Sequence, residues 1–166
     1  IPRYTGMPVR ARMENKFRVP VAVENDVNAA AVGEARFGAG RGYPDFLCLT
    51  YGTGIGGAIV LDQRIYAGHA YSAGEFGHIV THAEGRPCNC GLRGCYERYA
   101  SVTALVNAAK ELDPSLNSGR AVFRRMDNPA VKKVVDGWIG EILIGLATLI
   151  HIFNPACIVL GLSLIH

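Results

Sequence analysis

Apolar residues recur at Val131, Val134, Val135, Trp138, Ile142, Leu146, Leu149, Ile150 and Phe153, the spacing of one face of a long α-helix. Asn128-Pro129 supplies a cap followed by proline at the first helical position, so the helix is predicted to begin there. Its early turns carry charge and its later turns are predicted to be buried. Cys157 to Gly161 then reads as a buried strand. A shorter helix is predicted after Ser101, with Val102, Leu105, Val106, Ala109 and Leu112 on one face and Asp113-Pro114 as its end. The polar stretch 114–127 reads as a loop with a short helix at most. Nearer the N-terminus, a short helix is expected from Val9 to Phe17, a β-rich run at Val19 to Val23, and an Ala-rich helix from Val27 to Phe37 closed by Gly38. Phe46–Thr50 and Ala58–Leu61 read as two strands joined by the Gly-rich loop between them, a hairpin.

Composition narrows the class. With 166 residues, 49% of them hydrophobic, the chain can bury one sizeable core and reads as one domain or a piece of one. A net charge of +3, with Lys and Arg scattered and no aromatic interleaving, gives no sign of a nucleic-acid surface. The last 25 residues contain no Asp, Glu, Lys or Arg. His151 and Asn154-Pro155 divide that run into a helix end and a short strand, so a buried core is expected there rather than a membrane span. The chain begins Ile-Pro-Arg without a signal-peptide pattern, and a fragment is expected. Five cysteines with no secretory mark read as reduced thiols, and Cys157 as a buried inert one.

The chemistry concentrates at His78, Cys88, Cys90 and Cys95, three thiols and an imidazole within eighteen residues. That set matches a closed Cys3His zinc site, which leaves no open position for catalysis, so the zinc is expected to be structural. Glu75 precedes the first ligand by three residues and Glu97 follows the last by two, so the metal would fix two carboxylates relative to each other. Asn25 and Asp26 fall at a strand-to-helix junction, where open α/β sheets place their ligands; a simple capping role for Asp26 is the competing reading. Between Gly52 and Gly57, four glycines in six residues expose backbone N–H groups that suit an anion nest, with the Thr53 hydroxyl as a further donor. No Lys and no helix follow, so this is neither a Walker A loop nor a dinucleotide fingerprint, and a plain turn is the alternative. Tyr66, His69 and Tyr71 are placed to line a pocket, whereas His69 and His82 are expected to be surface or packing residues rather than ligands.

Taken together, Val23-Glu24-Asn25-Asp26-Val27-Asn28, Gly52-Thr53-Gly54-Ile55-Gly56-Gly57, Gly74-Glu75-Phe76-Gly77-His78 and Cys88 through Glu97 closely resemble the ROK family of bacterial sugar kinases and sugar-responsive repressors. The resemblance runs from about Val9 to Gly161. It implies an α/β, actin-like (ribonuclease H-like) sugar kinase fold, of which residues 1–166 would be mainly the C-terminal lobe, a single partial domain. It also implies Asp26 as the general base toward a sugar 6-hydroxyl, and Asn25, Glu75, His78 and Glu97 as hydrogen-bonding partners of the ring hydroxyls. His78 would then place one ring nitrogen on zinc and turn the other toward the sugar. Gly52, Thr53 and Gly54 would form the second phosphate loop for ATP, with Mg²⁺ alongside. The family's first phosphate loop, Asp-x-Gly-Gly-Thr, is absent from these residues, and Gly161-Leu162-Ser163 stands where the family usually has three glycines. The fragment alone is therefore expected not to phosphorylate sugar.

The implied roles are physically sound. A primary alcohol is a weak nucleophile, and a positioned carboxylate that accepts its proton contributes roughly 10²–10⁴-fold. Alignment and neutralisation of phosphate charge supply much of the rest. The preferred reading is thus part of an ATP-dependent hexose or N-acylhexosamine kinase, cytoplasmic and homodimeric. The sugar-sensing domain of a ROK repressor and a zinc-stabilised interaction domain are the alternatives.

Overall fold

A computed structural model describes residues 6–162. In chain order these form α1 (Val9–Phe17), α2 (Asp26–Phe37), β1 (Phe46–Tyr51), β2 (Ile55–Leu61), β3 (Arg64–Ile65), a 3-10 turn (Phe76–His78), α3 (Glu97–Ala100), α4 (Val102–Lys110), α5 (Gly119–Phe123), α6 (Pro129–Phe153) and β4 (Cys157–Leu162). The sheet order is β3-β2-β1-β4, with β1 antiparallel to β2 and parallel to β4.

β1 is the centre of the molecule because both of its faces are covered. Phe46 and Cys48 pack against Val27, Ala31 and Ala35 of α2. Leu47, Leu49 and Tyr51 face the other way, onto Phe76, Tyr96 and Leu149. The alternation of side chains across a strand assigns these two sets to opposite layers. A second apolar cluster joins α4, α5 and the first half of α6 through Leu105, Val122, Val131, Val135 and Trp138. The Trp138 indole N–H donates to the carbonyls of Ala100 (2.9 Å) and Ser101 (3.0 Å), which ties α6 to the start of α4. Ser101 caps α4 and Asn128 caps α6 as the sequence predicts, their side-chain oxygens accepting from Ala104 N (3.1 Å) and Ala130 N (2.9 Å).

Several expectations are corrected. Val19 to Val23 forms no strand; Pro20 lacks an N–H, and among the described residues no strand lies beside it to complete a ladder. β2 begins at Ile55 rather than Ala58, so Gly56 and Gly57 are ladder residues opposite Thr50 and Leu49. The stretch 114–127 does contain a short helix, but Leu116 and Val122 anchor it in the core. In α6 the burial is spread along the helix rather than confined to its later turns: Val131, Val135 and Trp138 are buried early and Leu149 late, whereas Leu143 and Ile152 are 59% and 65% exposed. His151 does not interrupt the helix, which extends to Phe153 and closes on Asn154 in the left-handed region at φ 43°. By length and composition α6 is apolar enough to cross a membrane. β4 is a half-exposed strand, not a buried one, and among the described residues only β1 pairs with it. Ser163 to His166 lie outside the described residues.

Candidate functional site

The carboxyl end of β1, the start of α2 and the loop leading into α3 converge on one cavity of about 690 Å³. Asn25, not Asp26, is the helix cap. Its side-chain oxygen accepts from Val27 N (2.9 Å) and Asn28 N (3.2 Å), which commits that oxygen to the helix and leaves the amide –NH2 as the group for a ligand. Asp26 is the first residue of α2, exposed and lining the cavity, with Oδ1 accepting from Val27 N at 2.9 Å. Glu24 braces this corner: its Oε1 accepts from Asn28 Nδ2 (3.0 Å) and Asn25 N (2.9 Å). Those bonds, the one from Asn28 first, hold its carboxyl below the usual range.

The hairpin turn, which also lines the cavity, is narrower than the predicted nest. It comprises Gly52, Thr53 and Gly54, closed by Gly52 N donating to Gly54 O at 2.9 Å. Gly52 O accepts from Val102 N at 2.9 Å, so the turn is also fixed to the start of α4. Gly56 and Gly57 are glycines for packing reasons. A Cβ on Gly56 would stand 2.5 Å from Val27 Cγ2, and one on Gly57 would stand 2.5 Å from the Gly74 carbonyl. A Cβ on Gly54 would meet Glu97 Oε2 at 2.6 Å, so the carboxylate of Glu97 lies directly against the turn.

The ligand atoms of His78, Cys88, Cys90 and Cys95 lie within 4.8 Å of one another. Cys90 Sγ is 3.5 Å from Cys95 Sγ, and Cys88 Sγ is 3.7 Å from His78 Nδ1. A zinc tetrahedron with bonds of about 2.0–2.3 Å has edges of roughly 3.4–3.8 Å, so the donors and their spacing fit such an ion. Little regular structure holds them. Cys88 N donates to Leu92 O (2.9 Å), Gly91 N to Cys88 O (3.1 Å) and Gly94 N to Arg86 O (2.8 Å). Gly94, at φ +78°, sits so close to His82 that a Cβ would overlap its carbonyl. Without metal, burial pushes the Cys95 thiol up to about 12, while the backbone N–H of Leu92 draws that of Cys90 down. A bound cation displaces such protons.

Glu97 links the cluster of thiols and imidazole to the cavity. Its Oε1 accepts from Cys88 Sγ at 3.2 Å and lies 3.9 Å from His78 Nδ1, while Oε2 faces Gly54. Of the predicted residues, Asn25, Asp26, Gly52, Thr53, Gly54, Glu75, His78 and Glu97 all line the one cavity. Tyr71 lines it as well, at φ +57° and 87% exposed, but Tyr66 and His69 do not. His82 is a packing residue, stacked on Tyr99 at 3.9 Å with Nε2 3.6 Å from Glu141 Oε1. Asn28 and Thr50, which also line the cavity, are not among the predicted residues; Gly161 lines it as well. Asn28 could have been found one helical turn beyond Asn25; Thr50 and Gly161 meet only through the parallel pairing of β1 with β4.

A model of the ROK family matches residues 2–166. The chain belongs to the ROK family. It is 47% identical over 104 residues to a glucokinase of Streptomyces coelicolor, a match covering 63% of this chain and 33% of that protein. It is 30% identical over 164 residues to the xylose repressor of Bacillus subtilis, covering 98% of this chain and 43% of the repressor. Its fold superposes on a ROK family glucokinase from Streptomyces griseus in complex with glucose and AMPPNP, with a TM-score of 0.82 and 36% identity over 93% of this chain and 56% of that one. The α/β, actin-like fold expected from the resemblance is therefore the fold of this chain. The chain spans from a third to just over half of these ROK proteins, which include both enzymes and a repressor.

Proposed function

We propose that residues 1–166 are a single partial ROK domain, the sugar- and metal-binding part of an ATP-dependent kinase that phosphorylates the 6-hydroxyl of a hexose or N-acylhexosamine. The observation that carries this reading is the gathering of Asp26, Glu75, His78 and Glu97 around one cavity with the Gly52–Gly54 turn on its wall. In this reading Asp26, exposed at the start of α2, takes the proton of the attacking hydroxyl, an effect worth roughly 10²–10⁴-fold. Glu75 and Glu97 each accept from two hydroxyls, and the Asn25 amide donates, so the ring is held by both kinds of partner. Gly52, Thr53 and Gly54 turn backbone and hydroxyl donors toward the transferred phosphate, which is mainly a matter of alignment and charge stabilisation.

His78, Cys88, Cys90 and Cys95 would hold zinc, which supplies rigidity rather than an open coordination site. His78 Nδ1 faces Cys88, which leaves Nε2 for the sugar side. Mg²⁺ would enter with ATP and neutralise its phosphates. A further, N-terminal lobe completes the nucleotide site, and the protein works in the cytoplasm as a homodimer; the exposed apolar late half of α6 supports such an association.

A second reading, the effector domain of a sugar-responsive repressor, draws support from the 98% of this chain that the xylose repressor matches. Both readings use the same cavity. Assaying the full-length protein with ATP and a hexose panel separates them. The kinase reading expects turnover that Asp26→Asn reduces at least about a hundredfold, with sugar affinity within about tenfold of wild type. Turnover retained by Asp26→Asn removes this residue from the mechanism. Sugar binding with no turnover by the wild type favours the repressor.

A further inference from the structure

Two buried phenols join the parts of the site. Tyr51, 3% exposed, is the last residue of β1 and immediately precedes the Gly52–Gly54 turn. Tyr96 is fully buried and stands between the last thiol, Cys95, and the carboxylate of Glu97. Their hydroxyls are 2.8 Å apart, and the Tyr96 hydroxyl donates to the Ile142 carbonyl of α6, also at 2.8 Å. Since Tyr96 has a single O–H and uses it on Ile142, Tyr51 must donate to Tyr96. The bond thus has one direction, from the turn through the metal loop to α6.

The packing is built around this chain of bonds. The two rings meet edge to face at 6.3 Å between centroids. On α6, Gly145 opens a notch for the Tyr96 ring, because a Cβ there would come within 2.1 Å of Tyr96 Cζ. A phenylalanine at either position would fill the same space, so the hydroxyls add a function that shape alone does not require. That function is visible at both ends: the tether leaves Tyr51 one residue from the turn and Tyr96 one residue from Glu97, whose Oε2 touches Gly54.

Resting on the kinase reading above, we propose that Tyr51 and Tyr96 are positioning residues that lock the Gly52–Gly54 turn to the metal-held loop and so set the distance between phosphate and sugar. Tyr51 also lines the cavity, but its hydroxyl is turned to Tyr96, and that of Tyr96 to Ile142, so the pair is assigned to holding the walls rather than to the chemistry. A static tether of this kind acts on the reaction through alignment, where a small misplacement lowers the rate with little change in binding.

The test pairs amide exchange with kinetics for Tyr51→Phe, which keeps the ring and removes the donor. In the zinc-loaded chain, the segment 51–55, whose Gly52 amide is bonded within the turn, should exchange at least about tenfold faster than in wild type. Exchange in α4 should not change. In the full-length enzyme kcat should fall about ten- to a hundredfold, with KM for sugar and zinc content nearly unchanged. Tyr96→Phe should loosen 51–55 likewise and, because it strips the buried Tyr51 hydroxyl of its acceptor and Ile142 of its donor, should also lower the Tm more than Tyr51→Phe does. Unchanged exchange at 51–55, faster exchange throughout, faster exchange with intact kcat, or failure to fold would each overturn the assignment, the second and last by marking the bond as a prop for the whole fold. If the wild type transfers phosphate to no hexose, the kinase reading fails on its own, and the exchange data alone decide whether the tether exists.

Discussion

The loop from Gly74 to Glu97 and the helix α6 touch through Tyr96 and Gly145, yet they are ordered by opposite means. The loop contains one 3-10 turn and two isolated bridges, Val80 with Cys95 and Pro87 with Arg93. Its shape comes from glycines in tight places and from four ligand atoms drawn together. α6 has 25 residues of regular hydrogen bonding, but Leu143, Ile144 and Ile150 stay exposed on its second half. Regular secondary structure is thus no guide to which part of this molecule is finished. The irregular loop is closed and lines the cavity, whereas the late half of the regular helix keeps apolar side chains exposed.

The largest effect that would sharpen this contrast is removal of a thiol. Cys95→Ser should lower zinc affinity by at least about a hundredfold, measured by competition with a chromophoric chelator, and should loosen the loop while the sheet persists. Unchanged affinity would mean that backbone packing alone shapes the loop. A smaller effect lies on the helix. Gly145→Ala drives a methyl into the Tyr96 ring and should cost about 1–3 kcal/mol in thermal or urea unfolding. Gly137, on the same helix, has open space where its Cβ would go, so Gly137→Ala should stabilise by about 0.5–1 kcal/mol. Equal responses at the two glycines would break the claim that α6 is fitted to the loop at one point.

The sequence shows some of this and hides the rest for definable reasons. The caps Ser101 and Asn128 and the helical spacing in α6 are local signals, and the structure follows them. Burial within α6 is only partly legible, because an uncharged run resembles core whether or not a neighbour covers it: Leu149 is buried, Ile150 is not. Glycine signals turns, so Gly56 and Gly57 read as loop in the sequence, whereas in the fold they permit close approach of Val27 and the Gly74 carbonyl to a strand. The ligand spacing of His78 and the three thiols was legible because metal coordination demands residue types that little else explains. The tether between Tyr51 and Tyr96, 45 residues apart, was not, because only the folded chain brings them together.

The smallest predicted effect concerns alkaline stability. Burial raises the Tyr51 phenol above its ordinary value of 10.0. The folded state therefore favours the neutral phenol; the associated stability is complete below about pH 10 and is lost as pH rises through the folded value. The Tm of wild type should fall more steeply above about pH 10 than that of Tyr51→Phe. Parallel curves would show that the phenol titrates alike in both states.

The central claim is that a metal-fixed loop holds Glu97 and His78 across one cavity from Asp26 so that the three grip a sugar. Calorimetric titration of a hexose panel into the 166-residue chain, first zinc-loaded and then metal-stripped with the sheet still intact by circular dichroism, tests this most directly. The account predicts that at least one hexose binds the loaded form and binds the stripped form at least about tenfold more weakly. Equal affinity in the two forms, or no binding by any hexose to the loaded one, would contradict it.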